Sequence, residues 1–316
     1  MLCELNAQNT EQTQLSTRHS FLVKKYIEGE TKEQRKVRKA LEKAQKSAET
    51  HEKLPQETVK PKVEPIKQEQ VVTQPAPRVY TPVHKNYVVC LKYGDKYSAA
   101  YVNKLHNMVK RNLTINYEFV CFTENAEGIN EEIRIEPLPP HALSGWWFKP
   151  YFFDPNLPLK GTILFLDLDM IIFRNIDNLF THDPNQFYII RDFNRYAIQN
   201  YNKFNSSVFR INTGQHPEVW RNFIANADSI MKRYHGDQDW IRVCITQNFN
   251  YWPDEWIQSY KWEMRGRPEF DKLPKGKRDF KVNGDPVVKD ATSVAVFHGD
   301  PNPHNCKDKW VIDNWQ

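Results

Sequence analysis

The sequence predicts an α/β fold: one sheet covered on both faces by helices, preceded by an N-terminal arm. Three observations carry this expectation. From Tyr87 onward, short and nearly continuous apolar runs alternate with segments of helical period, the pattern of a sheet buried on both faces. Several of those runs stop at polar residues, where sheets of this kind bind ligands beyond the carboxyl ends of their strands. Residues 1–84 have a different texture, rich in Lys, Glu, Gln and Pro and poor in large apolar side chains.

The arm comes first in the chain. Thr31 and Gln34 have the spacing of a capping box, and Val37, Ala40, Leu41, Ala44 and Ala48 then share one helical face over 31–53. That face is mostly Ala and too thin to bury much. Pro55, Pro61, Pro65, Pro75, Pro77 and Pro82 punctuate the rest, which reads as a solvated, semi-extended linker. The arm is either a docking element for a partner or an extension with one fraying helix. It holds 15 Lys and Arg against 11 Glu and no Asp, so most of the formal charge of +5 belongs to it. Residues 81–316 are nearly neutral, which argues against a protein built to grip nucleic acid.

Five Cys are widely spaced, without a CxxC or Cys/His zinc pattern, so free thiols in a reducing compartment are expected. No run approaches the roughly 18 apolar residues of a membrane span, and the N-terminus lacks a basic-then-apolar leader. A cytoplasmic protein is expected, at most peripheral to the inner membrane surface.

From residue 85 the elements follow in order. YVVCLKY (87–93) is a buried strand. Tyr101, Val102, Leu105, Met108 and Val109 make one face of a helix over 98–109. Further strands are expected at 118–123, 133–138, 162–167, 170–173, 187–192, 206–211 and 293–298. Helical patterns lie at 216–227 and 238–246. All nine Trp lie after residue 145.

The most telling stretch is ILFLDLDMII, in which Asp167 and Asp169 close the greasiest segment of the chain. In extended backbone, residues i and i+2 point to one side, so both carboxylates aim at one place while Leu168 packs the other way. Two such acids repel unless a cation separates them. A divalent metal bridging to a phosphate group would satisfy them. Three chemistries fit. One is sugar transfer from a nucleotide-sugar, in which the metal stabilises a departing diphosphate. A second is phosphoryl transfer through Asp167 as nucleophile, as in the haloacid-dehalogenase-like phosphatases, but there the acidic motif opens its domain, and here three strands and a helix precede it. The third is a nucleotide-sugar-binding protein without catalysis.

The ordered set of motifs resembles the A-type glycosyltransferases, specifically the glycogenin-like retaining transferases and their bacterial and phage relatives. VVCLKYGDKYSAAYVNKL is similar to their first nucleotide-binding strand and helix, and SGWWFKPYFF to the segment with a donor-binding Lys. ILFLDLDMIIFRNIDNLF, FNSSVFRINTG, HGDQDWI and FHGDPNPH complete the order. The resemblance covers roughly residues 85–316. It implies an A-type, Rossmann-like nucleotide-binding mixed sheet flanked by helices, and transfer of a hexose from a nucleotide-diphosphate-sugar, with retention of configuration, to an acceptor that is a glycan, lipid-linked glycan, protein or nucleobase.

By that resemblance, Asp167, Asp169 and His298 ligate the metal. An imidazole among oxygen ligands suits Mn²⁺ better than Mg²⁺, so manganese is expected, with magnesium as the alternative. Lys92 and Tyr93 meet the base and ribose, Asp167 reaches the ribose, and Lys149 meets the donor phosphates or sugar. Gly299 lets the diphosphate approach the backbone. Asp192 and Asn205 recognise sugar hydroxyls. Gln238 or Asp237, the two catalytic candidates, sits near the anomeric carbon on the face opposite the leaving group and steadies an oxocarbenium-like transition state. Asp237 also suits a helix N-cap. The chain departs from the family at Asn302, where a phosphate-binding Lys is usual, and His304, Lys261 or the segment from Lys275 to Arg278 would have to compensate. Trp252, Trp256 and Trp262 are candidates to stack on acceptor sugars, although most Trp should be core. The basic run 272–281 is read as a solvated loop or an anionic-acceptor contact.

Overall fold

The computed structural model describes residues 85–266 and 284–316. The expected arm and the basic run 272–281 lie outside the described residues. In chain order the strands are β1 (Lys85–Lys92), β2 (Glu118–Thr123), β3 (Arg134–Glu136), β4 (Gly161–Leu166) and β5 (Met170–Ile172). They continue as β6 (Tyr188–Arg191), β7 (Phe204–Asn212), β8 (Asn250–Tyr251), β9 (Ile257–Ser259) and β10 (Val294–Val296). The helices are α1 (Ala99–Asn112), α2 (Asn178–Thr181), α3 (Glu218–Ala225), α4 (Ala227–Arg233), α5 (Asp237–Cys244) and α6 (Lys309–Asn314). Among the described residues, no helix is long and apolar enough to cross a membrane.

The main sheet runs β3-β2-β1-β4-β7-β6-β8. β1 is parallel to both β2 and β4, so the carboxyl ends of β1 and β4 lie on one edge. β7 is antiparallel to β4 and to β6, which brings its amino end to that same edge. The register is direct: Leu166 pairs with Val208, and the Asp167 N–H donates to the Ser207 carbonyl at 2.9 Å. At the other end, β1 and β4 meet so closely that a Cβ on Gly161 would sit 2.0 Å from the Lys85 carbonyl oxygen.

Strand alternation divides the core. Val88, Cys90, Leu164 and Leu166 face α1, which presents Tyr101, Val102, Leu105, Met108 and Val109 to them. Val89, Leu91, Ile163 and Phe165 face the other way. There they pack on α3, α5 and a 3-10 turn at Gly145–Phe153. Pro150 sits inside that turn and has no N–H to give, which disfavours a regular α ladder there. Trp147 stacks on Phe223 at 5.6 Å and ties the turn to α3. Burying side chains such as Phe165 contributes about 1.5–3 kcal/mol each. Cys90 and Cys121 are register partners on β1 and β2, buried and free, and serve the core as small apolar side chains.

Several expected elements differ in detail. The strand expected at 170–173 leaves the main sheet and joins a second one, β5-β10-β9, antiparallel to β10. The helix expected at 216–227 is two helices, broken at Asn226, whose ψ of 28° departs from helical geometry. β7 begins two residues earlier than expected, so Phe204 and Asn205 lie within the strand. The last strand stops at Val296, leaving His298 two residues beyond it.

Candidate functional site

The carboxyl edge of β1 and β4 opens a small pocket of about 100 Å³. Tyr93, Lys96, Tyr97, Trp146, Lys149, Asp167 and Asp169 line it together with the backs of Leu91 and Leu168. Tyr93 follows β1 directly, lies half-buried and packs its ring 5.9 Å from Phe148. Gly145, at φ 64°, opens the 3-10 turn, and a Cβ there would lie 3.5 Å from the Tyr93 hydroxyl. The turn then carries Trp146 to the surface and Lys149 inward.

Lys149 is the hub. Its ammonium is buried and sits 2.8 Å from Asp167 Oδ1 and 3.0 Å from Oδ2. It also donates to the Ser206 hydroxyl at 3.2 Å and to the Ser206 carbonyl at 3.4 Å. Burial pulls its pKa down, yet Asp167 and Asp237 more than offset this and hold it raised, so it stays charged. Asp237 begins α5 and is itself buried, with Oδ2 lacking any hydrogen-bond partner. Burial raises its pKa, while Lys149 and the Ser206 hydroxyl work in the opposite direction. Ser206 was not singled out from sequence, although it follows the candidate Asn205 directly.

Asp169 is partly buried behind Tyr97, whose hydroxyl donates to Oδ2 at 2.8 Å. Burial first, and the neighbouring Asp167 charge second, raise its pKa to about 6. Two neighbouring acids of this kind suit a divalent cation, whose charge would offset the burial and the repulsion at Asp169.

The imidazole of the expected ligand set is placed otherwise. The Phe297 N–H donates to the Asp169 carbonyl at 3.0 Å, so the backbones of the two segments touch. The His298 ring, however, turns to Ser259, with 2.6 Å between Nε2 and Oγ. It lies stacked on Phe193 at 5.5 Å and edge-on to Trp262 at 4.7 Å. Among the described residues, no three His, Cys, Asp or Glu side chains are arranged to hold a metal. The two carboxylates therefore share the pocket, whereas the His298 imidazole is engaged with Ser259, Phe193 and Trp262.

Two other expected residues form a second polar pair. Asp192 caps the 3-10 turn Phe193–Tyr196 by accepting from the Asn194 N–H at 2.8 Å. Its other oxygen accepts from Gln238 Nε2 at 3.4 Å. Asn205 lies within β7 and uses its carbonyl oxygen to accept the Ser207 N–H at 3.0 Å. Lys92 is buried and donates to the Asn125 carbonyl at 3.4 Å, away from the pocket lining. Gly299 adopts φ 73°, a conformation that favours glycine.

The expected compensators for Asn302 are engaged. Lys261 donates to the His298 carbonyl at 2.7 Å and the Asp300 carbonyl at 3.4 Å. His304 Nδ1 is bonded to the Tyr101 hydroxyl. Lys275 to Arg278 lie outside the described residues. Of the three Trp considered for stacking, Trp252 is fully buried and Trp256 and Trp262 pack on the core. The Trp at the pocket is Trp146, 45% exposed. Lys96 and Tyr97 were also missed as individual residues. Their signal was position: both follow a strand that ends at the ligand edge.

No family model matches the sequence, and no curated protein does. The fold does have solved counterparts. The chain is similar to the glycosyltransferase GlyE of Streptococcus pneumoniae TIGR4, at 12% identity and a TM-score of 0.52, over 73% of this chain and 60% of that one. The apo form of GlyE aligns at 13% identity and a TM-score of 0.50, over 73% and 59% of the two chains. The galactosyltransferase LgtC, solved in complex with donor and acceptor sugar analogs, aligns at 14% identity and a TM-score of 0.49, over 72% and 93%. The chain thus spans about three fifths of the length of GlyE. The likeness to GlyE is one of architecture, and it places the described residues in the A-type glycosyltransferase fold.

Proposed function

We propose that this protein transfers a hexose from a nucleotide-diphosphate-sugar to an acceptor, with a divalent cation, manganese first, and with retention of configuration. One observation carries the reading: in an A-type fold, Asp167, Asp169, Lys149 and Tyr93 converge on one pocket at the carboxyl edge of β1 and β4. What a cation held by Asp167 and Asp169 supplies is neutralisation of the charge that develops on a departing diphosphate. The other roles belong to side chains. Tyr93 offers a face for the nucleoside. Lys149 holds Asp167 in place and lends positive charge near the phosphates. Asp237, buried with one oxygen unpartnered, and Gln238, hydrogen-bonded to Asp192, are the groups offered to the transferred sugar and its developing charge. Displacement on the face from which the diphosphate leaves accounts for retention. The mixed sheet, with β7 antiparallel beside the acidic strand, gives the phosphatase alternative no support.

The test is release of nucleoside diphosphate from UDP-glucose, UDP-galactose, GDP-mannose and ADP-glucose, with Mn²⁺ or with chelator. Wild type is expected to turn over at least one donor in Mn²⁺, and Asp169→Ala to lose about 100-fold or more. Turnover indifferent to both chelation and Asp169→Ala overturns the metal-dependent reading. Donor binding without any turnover supports the non-catalytic one.

A further inference from the structure

We propose that Lys96 binds the diphosphate of the nucleotide donor, with Tyr97 as the support that holds its ammonium at the pocket mouth. The inference rests on the donor reading above and assigns it a residue.

The pocket lining contains two acids and two lysines. Lys149 is buried and committed to Asp167 and Ser206. Its charge is largely spent on neutralising what is already there. Lys96 is the other cation of the lining, it is exposed, and among the described residues it makes no ion pair that would occupy it. Its ammonium lies over the Tyr97 ring, 4.6 Å from the centroid. A cation–π contact of this kind restrains a long side chain without quenching its charge.

Tyr97 is itself fixed. Its hydroxyl donates to Asp169 Oδ2 at 2.8 Å and approaches Asn302 Oδ1 at 3.5 Å, and its ring packs 4.6 Å from the Tyr101 ring. Lys96 therefore stands above a platform joined to both Asp169 and residue 302, the position where the chain has a neutral amide. The other nearby cations and imidazoles are engaged: Lys261 with loop carbonyls and His304 with Tyr101. A diphosphate held beside the Asp167–Asp169 pair through a divalent cation would meet Lys96 as its protein cation. An ammonium is suited to this as a point charge that can reach either phosphate.

The experiment is calorimetric titration of the full chain with UDP, GDP, ADP and CDP and with the matching monophosphates, in Mn²⁺, for wild type, Lys96→Ala, Lys96→Arg and Tyr97→Phe. Lys96→Ala is expected to weaken the bound diphosphate about tenfold and its monophosphate less than threefold, and to flatten the salt dependence of diphosphate binding. Lys96→Arg should retain most of the affinity. Tyr97→Phe keeps the ring under the ammonium and should keep the preference for diphosphate over monophosphate. If wild type binds a diphosphate and Lys96→Ala binds it equally well, Lys96 has no such role and the donor reading stands. If wild type binds none of the four diphosphates, the donor reading fails and this assignment falls with it.

Discussion

At the scale of single residues, the site is governed by how few charges cancel how many. Lys149 is one buried cation facing Asp167 directly and Asp237 at longer range. Removing one partner from such a buried set leaves an uncompensated charge, which typically costs about 3–5 kcal/mol. Lys149→Met is therefore expected to destabilise the fold by about 3 kcal/mol in urea unfolding at pH 7. Adding Asp167→Asn should recover part of that loss, because neighbouring charges do not behave additively. That Asp167 and Asp169 share one pocket was legible from sequence, because residues i and i+2 at the end of a strand point to one side. Lys149 was legible as a residue but not as a hub, since nothing in SGWWFKPYFF tells that its ammonium turns inward onto Asp167. The direction of the His298 ring was not legible at all. It depends on Ser259, a residue 39 positions away that carries no motif of its own.

At the scale of elements, the close parallel pairing of β1 with β4 brings the strand ends that lead into Tyr93 and Asp167 to one edge, and Gly161 makes that pairing close. It sits at φ 151°, and an added Cβ would overlap the Lys85 carbonyl. Gly161→Ala is expected to cost about 2–4 kcal/mol by thermal or urea unfolding and to shift the strand ends on which the pocket depends. Strand existence was readable from apolar runs and strand boundaries less so. β7 gained Phe204 and Asn205 because pairing with β6 continues through an irregular register between Ile189 and Ile190. β5 was readable as a strand, yet its sheet was not, since among the described residues its partner is the distant β10, which pairs in turn with β9. The two-residue β8 offers no period to detect.

At the scale of the whole molecule, stability and its dependence on pH are set partly far from the pocket. His106 lies on α1, buried against the Phe119 ring at 5.1 Å, with Nδ1 unpartnered. Burial lowers its pKa below the usual 6.5, with Lys110 adding to the effect and Glu132 opposing it. The unfolded chain therefore takes up a proton first as pH falls. The stabilisation from keeping this ring neutral is complete above about pH 6.5 and is lost as pH falls through and below that value. Relative to His106→Gln, the urea midpoint of wild type should fall between pH 7 and pH 5, a comparison that separates this ring from the opposite effect of Asp169, whose raised pKa favours the fold as pH falls. No sequence pattern marks His106, because a histidine on an apolar helix face reads like any other amphipathic position. The fold class was legible from alternation and motif order, whereas the antiparallel insertion of β7 between β4 and β6 is a matter of topology that local patterns do not carry. That reversal has an evolutionary consequence. Because β7 starts where β4 ends, the connection over residues 192–203 lies at the same edge of the sheet as the end of β4, while the strands on either side of it stay locked in register. Its first residues are anchored by the Asp192 cap and the buried Phe193, but residues 197–203 are mostly exposed, so changes of length or sequence there would alter that edge at little cost to the framework beneath.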